Sequence, residues 1–307
     1  MNRGLLLTCL VAGCDFLRQP TPLELSGEQI LVHSLLLAGS DTVSVYLTRS
    51  RPGLGTPAPS VQPISGAEVR IMGPADSIRL AEDPPGLPRC FVENTGLQPA
   101  TQPGCYGAVL RGGVQAGGRY ELQIGLPGGG TIEGMAVVPQ PLAILAPGRD
   151  ARVLAQTPST NRSELYGSVQ SRWTRSGDAG RVDFRIESLA VFRNGVRVPY
   201  ARCGFETSTV ASGRVDARAT DSAFVGFQVL NCFEEPASGT LRPIEPDSIQ
   251  ARFVITAFDT AYTRYAEVIS KDAVERRHLS VGVRGALGVF AGAATSEQRI
   301  TVLLNRR

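Results

Sequence analysis

Val182-Asp183-Phe184-Arg185-Ile186-Glu187 places an apolar residue at every second position and a charged residue between. Successive side chains of a strand point to opposite faces, so this period of two sends one face to a core and the other to water. The same alternation runs upstream, in Val43, Val45 and Leu47 against Ser44, Tyr46 and Thr48, and in Ala67, Val69 and Ile71 against Glu68 and Arg70. Tyr120, Leu122 and Ile124 repeat it against Arg119, Glu121 and Gln123. Downstream, Val225, Phe227 and Val229 lead into Cys232, Ala251, Phe253, Ile255 and Ala257 make a further strand, and Ile300, Val302 and Leu304 close the fold. Turn-forming stretches such as Pro52-Gly53-Leu54-Gly55 and Pro127-Gly128-Gly129-Gly130 separate these runs. Arg193-Asn194-Gly195-Val196 predicts a hairpin, because Asn-Gly tolerates positive φ at both central positions.

One segment departs from this pattern. Asp259 is suited to cap a helix, and Tyr262, Tyr265, Ala266 and Ile269 recur at helical spacing, which predicts one short helix over about 260–273 packed on a sheet. The fold class is therefore all-β. Short strands with frequent turns predict an immunoglobulin- or transthyretin-like sandwich over 27–139. A second antiparallel β domain, sandwich or barrel-like, is expected over 140–307. Pro139-Gln140-Pro141 and Ala146-Pro147-Gly148 mark the boundary.

The N-terminal residues read as a targeting signal. Arg3, the apolar stretch from Leu5 to Ala12, and Val11-Ala12-Gly13-Cys14 resemble a bacterial lipoprotein signal. The stretch is too short for a bilayer span, which needs about 20 residues, so residues 1–13 read as a cleaved signal peptide. Cys14 is then the lipid-carrying first residue of the mature chain. Cys9 is a poorer acceptor, since Thr8 stands where a small residue is wanted. An ordinary signal peptide with an incidental cysteine is the alternative. Each buried methylene of the lipid would contribute about 0.8 kcal/mol, which makes anchoring effectively permanent. Residues 14–26, with Gln19-Pro20-Thr21-Pro22, read as a tether. Asp15 resembles an inner-membrane retention signal in enterobacteria, set against an expected outer-membrane location on the periplasmic or cell-surface face.

Composition narrows the function classes. Charged residues make up 19% and hydrophobic residues 42%, as in a β-rich exported protein. A net charge of +3 spread along the chain gives no nucleic-acid footprint. Lys271 is the only lysine, a bias that suits a GC-rich genome. Four cysteines remain beyond the signal and Cys14: Cys90, Cys105, Cys203 and Cys232. In an exported chain they imply disulfides, and four cysteines allow three connectivities. Pairing of sequence neighbours, Cys90 with Cys105 and Cys203 with Cys232, is expected because it keeps each bridge within one half of the chain. No Cys-x-x-Cys or Cys/His cluster points to zinc, and no cofactor is expected.

Several segments together resemble the exported bacterial lipoproteins grouped as domain of unknown function 4249. They are Leu47-Thr48-Arg49-Ser50-Arg51-Pro52, Pro63-Ile64-Ser65-Gly66-Ala67-Glu68-Val69-Arg70-Ile71 and Gly117-Gly118-Arg119-Tyr120-Glu121-Leu122. Near the end come Tyr262-Thr263-Arg264-Tyr265 and the distinctive Gly285-Ala286-Leu287-Gly288-Val289-Phe290-Ala291-Gly292. The Asn-Pro-Phe segment common before that ending is absent, which marks a divergent member. The resemblance implies an outer-membrane lipoprotein, often encoded beside a TonB-dependent transporter. It brings no activity and no catalytic residue.

Candidate chemistry is sparse. His33, within Ile30-Leu31-Val32-His33-Ser34-Leu35, reads as a packed or edge histidine, and His278, after Arg276 and Arg277, as part of a solvated loop. No Gly-x-Ser-x-Gly elbow is present. Gly282-Val283-Arg284-Gly285-Ala286-Leu287-Gly288 lacks the following helix of a phosphate loop, so close backbone packing or a bulge explains it better. Adjacent Glu234 and Glu235 read as a solvated turn and not as a glycosidase pair. Tyr166, Phe227 and Phe290 read as core aromatics. Trp173, between Arg172 and Thr174-Arg175, reads as core too, with an exposed binding edge as its alternative. The expected function is that of a non-enzymatic, lipid-anchored accessory or binding component at the outer membrane. Its partners would be the membrane, through the lipid, and a TonB-dependent transporter, and the sequence names no small-molecule or glycan ligand. A glycan hydrolase with an unrecognised site and an adhesive or structural envelope protein are the alternatives.

Overall fold

The alternating stretches lie on strands in a computed structural model that describes residues 29–51, 60–84, 90, 103–157, 165–209, 215–235, 239–269 and 280–305. The chain opens with β1 (Gln29–Leu37), β2 (Thr42–Arg51), β3 (Ser60–Pro63), β4 (Glu68–Met72), β5 (Ser77–Glu82), β6 (Cys105–Val109), β7 (Arg119–Gly125) and β8 (Thr131–Val137). It continues through β9 (Ile144–Ala146), β10 (Ala151–Gln156), β11 (Leu165–Trp173), β12 (Arg181–Arg193), β13 (Val196–Val198) and β14 (Ala201–Thr209). Then follow β15 (Val215–Asp216), β16 (Ser222–Glu234), β17 (Arg242–Ile244), β18 (Ser248–Phe258) and helix α1 (Thr260–Ile269). Two short strands, β19 (Ser280–Val281) and β20 (Val283–Arg284), precede β21 (Leu287–Asn305).

The N-terminal strands form a sandwich. One sheet carries β1 between β2 and β21, with β2 passing on to β6 and β3. The other runs β5, β4, β7, β8, β20, all antiparallel, and the end of β5 crosses to β6. Their inner faces share one core, with Val32, Val45 and Leu47 against Val69, Ile71 and Leu122. Tyr106 is buried there. Its hydroxyl donates to the Ile64 carbonyl at 2.8 Å and accepts from Ala67 N–H at 3.0 Å, so the polar end of the ring is satisfied.

Around the second core the ladder runs β12, β18, β21, β10, β11, β16, β14. It is antiparallel except where β10 meets β21. The sheet curls until β14 lies beside β12, where Thr207 Oγ1 donates to the Phe184 carbonyl at 2.8 Å. Trp173, Phe184, Phe227 and Phe253 fill the interior. The predicted hairpin joins β12 to β13, with Asn194 at φ 52° and Gly195 at φ 74°. Both disulfides join sequence neighbours, Cys90 to Cys105 and Cys203 to Cys232. Each contributes about 3 kcal/mol by restricting the unfolded chain.

β21 serves both cores. Its first half is buried on both faces: Phe290 points into the sandwich, while Val289, Ala291 and Ala293 lie under α1 with Tyr262 and Tyr265. A strand covered on both sides reads as a continuous apolar run, which is what Val289-Phe290-Ala291 shows. Its second half alternates again and gives Ile300 and Val302 to the second core. Close approach explains the glycines of this segment. A Cβ on Gly288, at φ 111°, would lie 2.0 Å from the Val32 carbonyl oxygen, and one on Gly282 would lie 2.3 Å from that of Phe290.

Candidate functional site

A bulge on the wall formed by β14 and β16 shapes a surface hollow. Cys203 pairs with Cys232 and Phe205 with Val229, so Gly204 alone opposes Leu230 and Asn231. Two residues facing one bend the strand and re-aim its side chains, and here Leu230 and Asn231 both turn outward. Gly204 is exposed and leaves the floor open. A Cβ there would lie 3.1 Å from Leu230 Cδ1. The disulfide ties the two strands at this point, with Cα atoms 4.1 Å apart.

The hollow has a volume of about 800 Å³. Tyr200, Leu230, Phe233 and Leu241 make its apolar rim, and Arg202, Gln228, Asn231 and Glu235 its polar one. Tyr200 follows Pro199 in the turn between β13 and β14, has φ 59° and is 79% exposed. Glu235 N–H donates to the Tyr200 carbonyl at 3.4 Å, which holds the two residues side by side. The opposite wall differs in character. There Arg252 pairs with Glu187 at 2.6 Å and Glu297 at 2.9 Å across β12, β18 and β21. That wall pairs these charges with one another, whereas the β16 wall presents exposed Phe224, Leu230 and Phe233.

Two buried titratable groups sit near the junction of the two cores. Asp259 is buried and caps α1, accepting from Tyr262 N–H at 2.7 Å, while its second oxygen accepts from Gly292 N–H at 2.9 Å. Burial pushes its carboxyl up to about 6, against these backbone donors, which favour the ionised form. His33 stands on β1 against Tyr265, with Nδ1 3.3 Å from the tyrosine hydroxyl and the rings edge to face. Burial lowers its pKa. It is a packed histidine.

Cys14, Asp15 and His278 lie outside the described residues, as do the last positions expected of the helix, beyond Ile269. Trp173 is 1% exposed inside the second core, so it offers no binding edge; its side lies on the inward series with Leu165 and Val169. Phe227 and Phe290 are core, while Tyr166 is 43% exposed on the outer face of β11, where it stands opposite Gln228. Glu234 ends β16, and Glu235 joins the hollow. Tyr200, Arg202 and Gly204 were not singled out by the sequence. The cysteines held the available signal: once Cys203 and Cys232 pair inward, Arg202 and Phe233 must face outward together. Among the described residues no group of three or more His, Cys, Asp or Glu could hold a metal ion, and no helix is long and apolar enough to cross a membrane.

No curated protein matches the chain. Among solved structures it is similar to AggA, the major subunit of aggregative adherence fimbriae type I from Escherichia coli, at 8% identity and a TM-score of 0.23. That match covers 55% of this chain and 99% of the fimbrial one. A biofilm associated protein BSP domain matches at 7% identity and a TM-score of 0.16, over 88% of this chain and 58% of its own. At TM-scores this low neither neighbour lends the chain a function. A family profile matches residues 19–276, most of the sequence, and the chain belongs to that family, the domain of unknown function DUF4249.

Proposed function

We propose that this chain is a non-enzymatic, lipid-anchored envelope protein, an accessory or binding component at the outer membrane that works beside a TonB-dependent transporter. The observation that carries the reading is the hollow on β14 and β16. It gathers exposed aromatic, amide and charged side chains on a disulfide-braced wall, a surface for holding a partner or ligand. Cys14 and the Pro-containing tether supply its position. The transporter partner follows from what membership of the family implies. The exposed row on β16 favours a second reading, an adhesive or structural envelope protein that contacts its own copies. Crosslinking in native envelopes, followed by mass spectrometry, separates the two. The accessory reading expects a transporter crosslinked to this chain. Recovery of self-crosslinks alone, or of none, removes it.

A further inference from the structure

We infer that the hollow on β14 and β16 binds a neutral carbohydrate chain, with Tyr200 as its stacking platform. This deepens the reading of the hollow as a binding surface and rests on it.

Tyr200 is the strongest pointer. A bulky residue at φ 59° is a backbone outlier, in a region that suits glycine or asparagine. Such strain persists where the surroundings enforce it or where function uses it. Here the side chain is 79% exposed, so the strained position returns little burial to the fold. A ring held out in water on the lip of a hollow is placed to meet something else. The face of a pyranose carries C–H bonds with partial positive charge, which match the negative face of an aromatic ring.

The polar rim fits the rest of a sugar. Arg202 offers only donors, Glu235 only acceptors, and Gln228 and Asn231 both, each in a planar group that spans neighbouring hydroxyls. None of the four has a side-chain hydrogen bond or ion pair among the described residues. One cation and one anion face the same hollow, so its charge balances. That suits an uncharged polyol over a phosphate or an acidic sugar. Gly204 keeps the floor open, and the Cys203–Cys232 bridge fixes the wall before binding, which lowers the ordering cost of a complex.

Calorimetric titration of the full-length protein in detergent tests this, with cellohexaose, maltohexaose, xylohexaose and mannohexaose as neutral probes and a galacturonic acid oligomer as the anionic one. At least one neutral probe is expected to bind. Tyr200→Gly should weaken that binding about tenfold or more, while its Tm holds or rises by about 2 °C as the backbone strain is relieved. Tyr200→Phe, which keeps the ring, should bind within about threefold of the parent. Silence from every neutral probe overturns the inference, as does binding of the anionic probe alone. Unchanged binding by Tyr200→Gly, or a fall in its Tm together with lost binding, overturns the role of Tyr200. The titration needs neither lipid nor transporter. Binding without a crosslinked transporter therefore removes only the accessory reading, and a transporter without sugar binding removes only this one.

Discussion

Replacing Gly288 by alanine is expected to cost about 4 kcal/mol or more, at the diagnostic end of single substitutions. In a protein of this size that corresponds to a fall in Tm of about 8–16 °C. Gly288 sits at φ 111°, where any L side chain is strained, and an added Cβ would lie 2.0 Å from the Val32 oxygen and 2.9 Å from Val32 C and N. Those atoms belong to the backbone of β1, which cannot swing aside as a flexible side chain would. The ladder from Leu31–Leu287 to Leu37–Ala293 would have to part, and with it the connection between β21 and the sandwich. Gly128→Ala is the matched control, because a Cβ there meets nothing within 4 Å. It should leave Tm unchanged or slightly raised. Thermal denaturation followed by circular dichroism reads both. A Gly288→Ala protein melting within about 2 °C of the parent would show that β21 does not pack against β1 in this way.

Asp259→Ala should cost about 2–4 kcal/mol, combining a lost helix cap with an orphaned buried N–H at Gly292. Its pH dependence carries the sharper expectation. The folded carboxyl lies at about 6, above its ordinary 3.8, because burial disfavours the charge. Folding therefore takes up a proton between those two values. The resulting stability is fully present below about 3.8 and is lost as pH rises through about 6. The loss on Asp259→Ala should be greater at pH 4.5 than at pH 7, by about 2 kcal/mol. An ordinary cap aspartate, with a depressed pKa, would show the reverse. His33, whose pKa burial lowers, acts in the opposite direction. The difference between variant and parent in urea titrations, rather than the parent's curve alone, reads Asp259.

Much of the scaffold was legible because period two, Asn-Gly chemistry and helix capping are local. Val182 to Glu187, the turn at Asn194-Gly195 and the start of α1 at Asp259 each follow from residues near in sequence. What the alternation could not specify is which distant strands meet. The parallel ladders of β21 with β1 and β10 join segments far apart in the chain, and no residue in either partner encodes the other. The glycines from Gly282 to Gly288 were readable as sites of close approach, but not as closing onto Val32. The hollow was hidden for a related reason. It depends on a one-residue mismatch between Cys203–Phe205 and Val229–Cys232, which turns Leu230 and Asn231 to the same side against strict alternation. Trp173 goes to the core, the favoured reading, although its charged sequence neighbours point outward.

The proposed anchor would hold the β14 and β16 surface permanently at a membrane face. Mass spectrometry of the N-terminal peptide, from protein extracted out of native membranes, tests that anchor most directly. The expected peptide begins at Cys14 and carries a diacylglyceryl group on sulfur with an acyl chain on its amine. A peptide that begins elsewhere, or an unmodified Cys14, would contradict it.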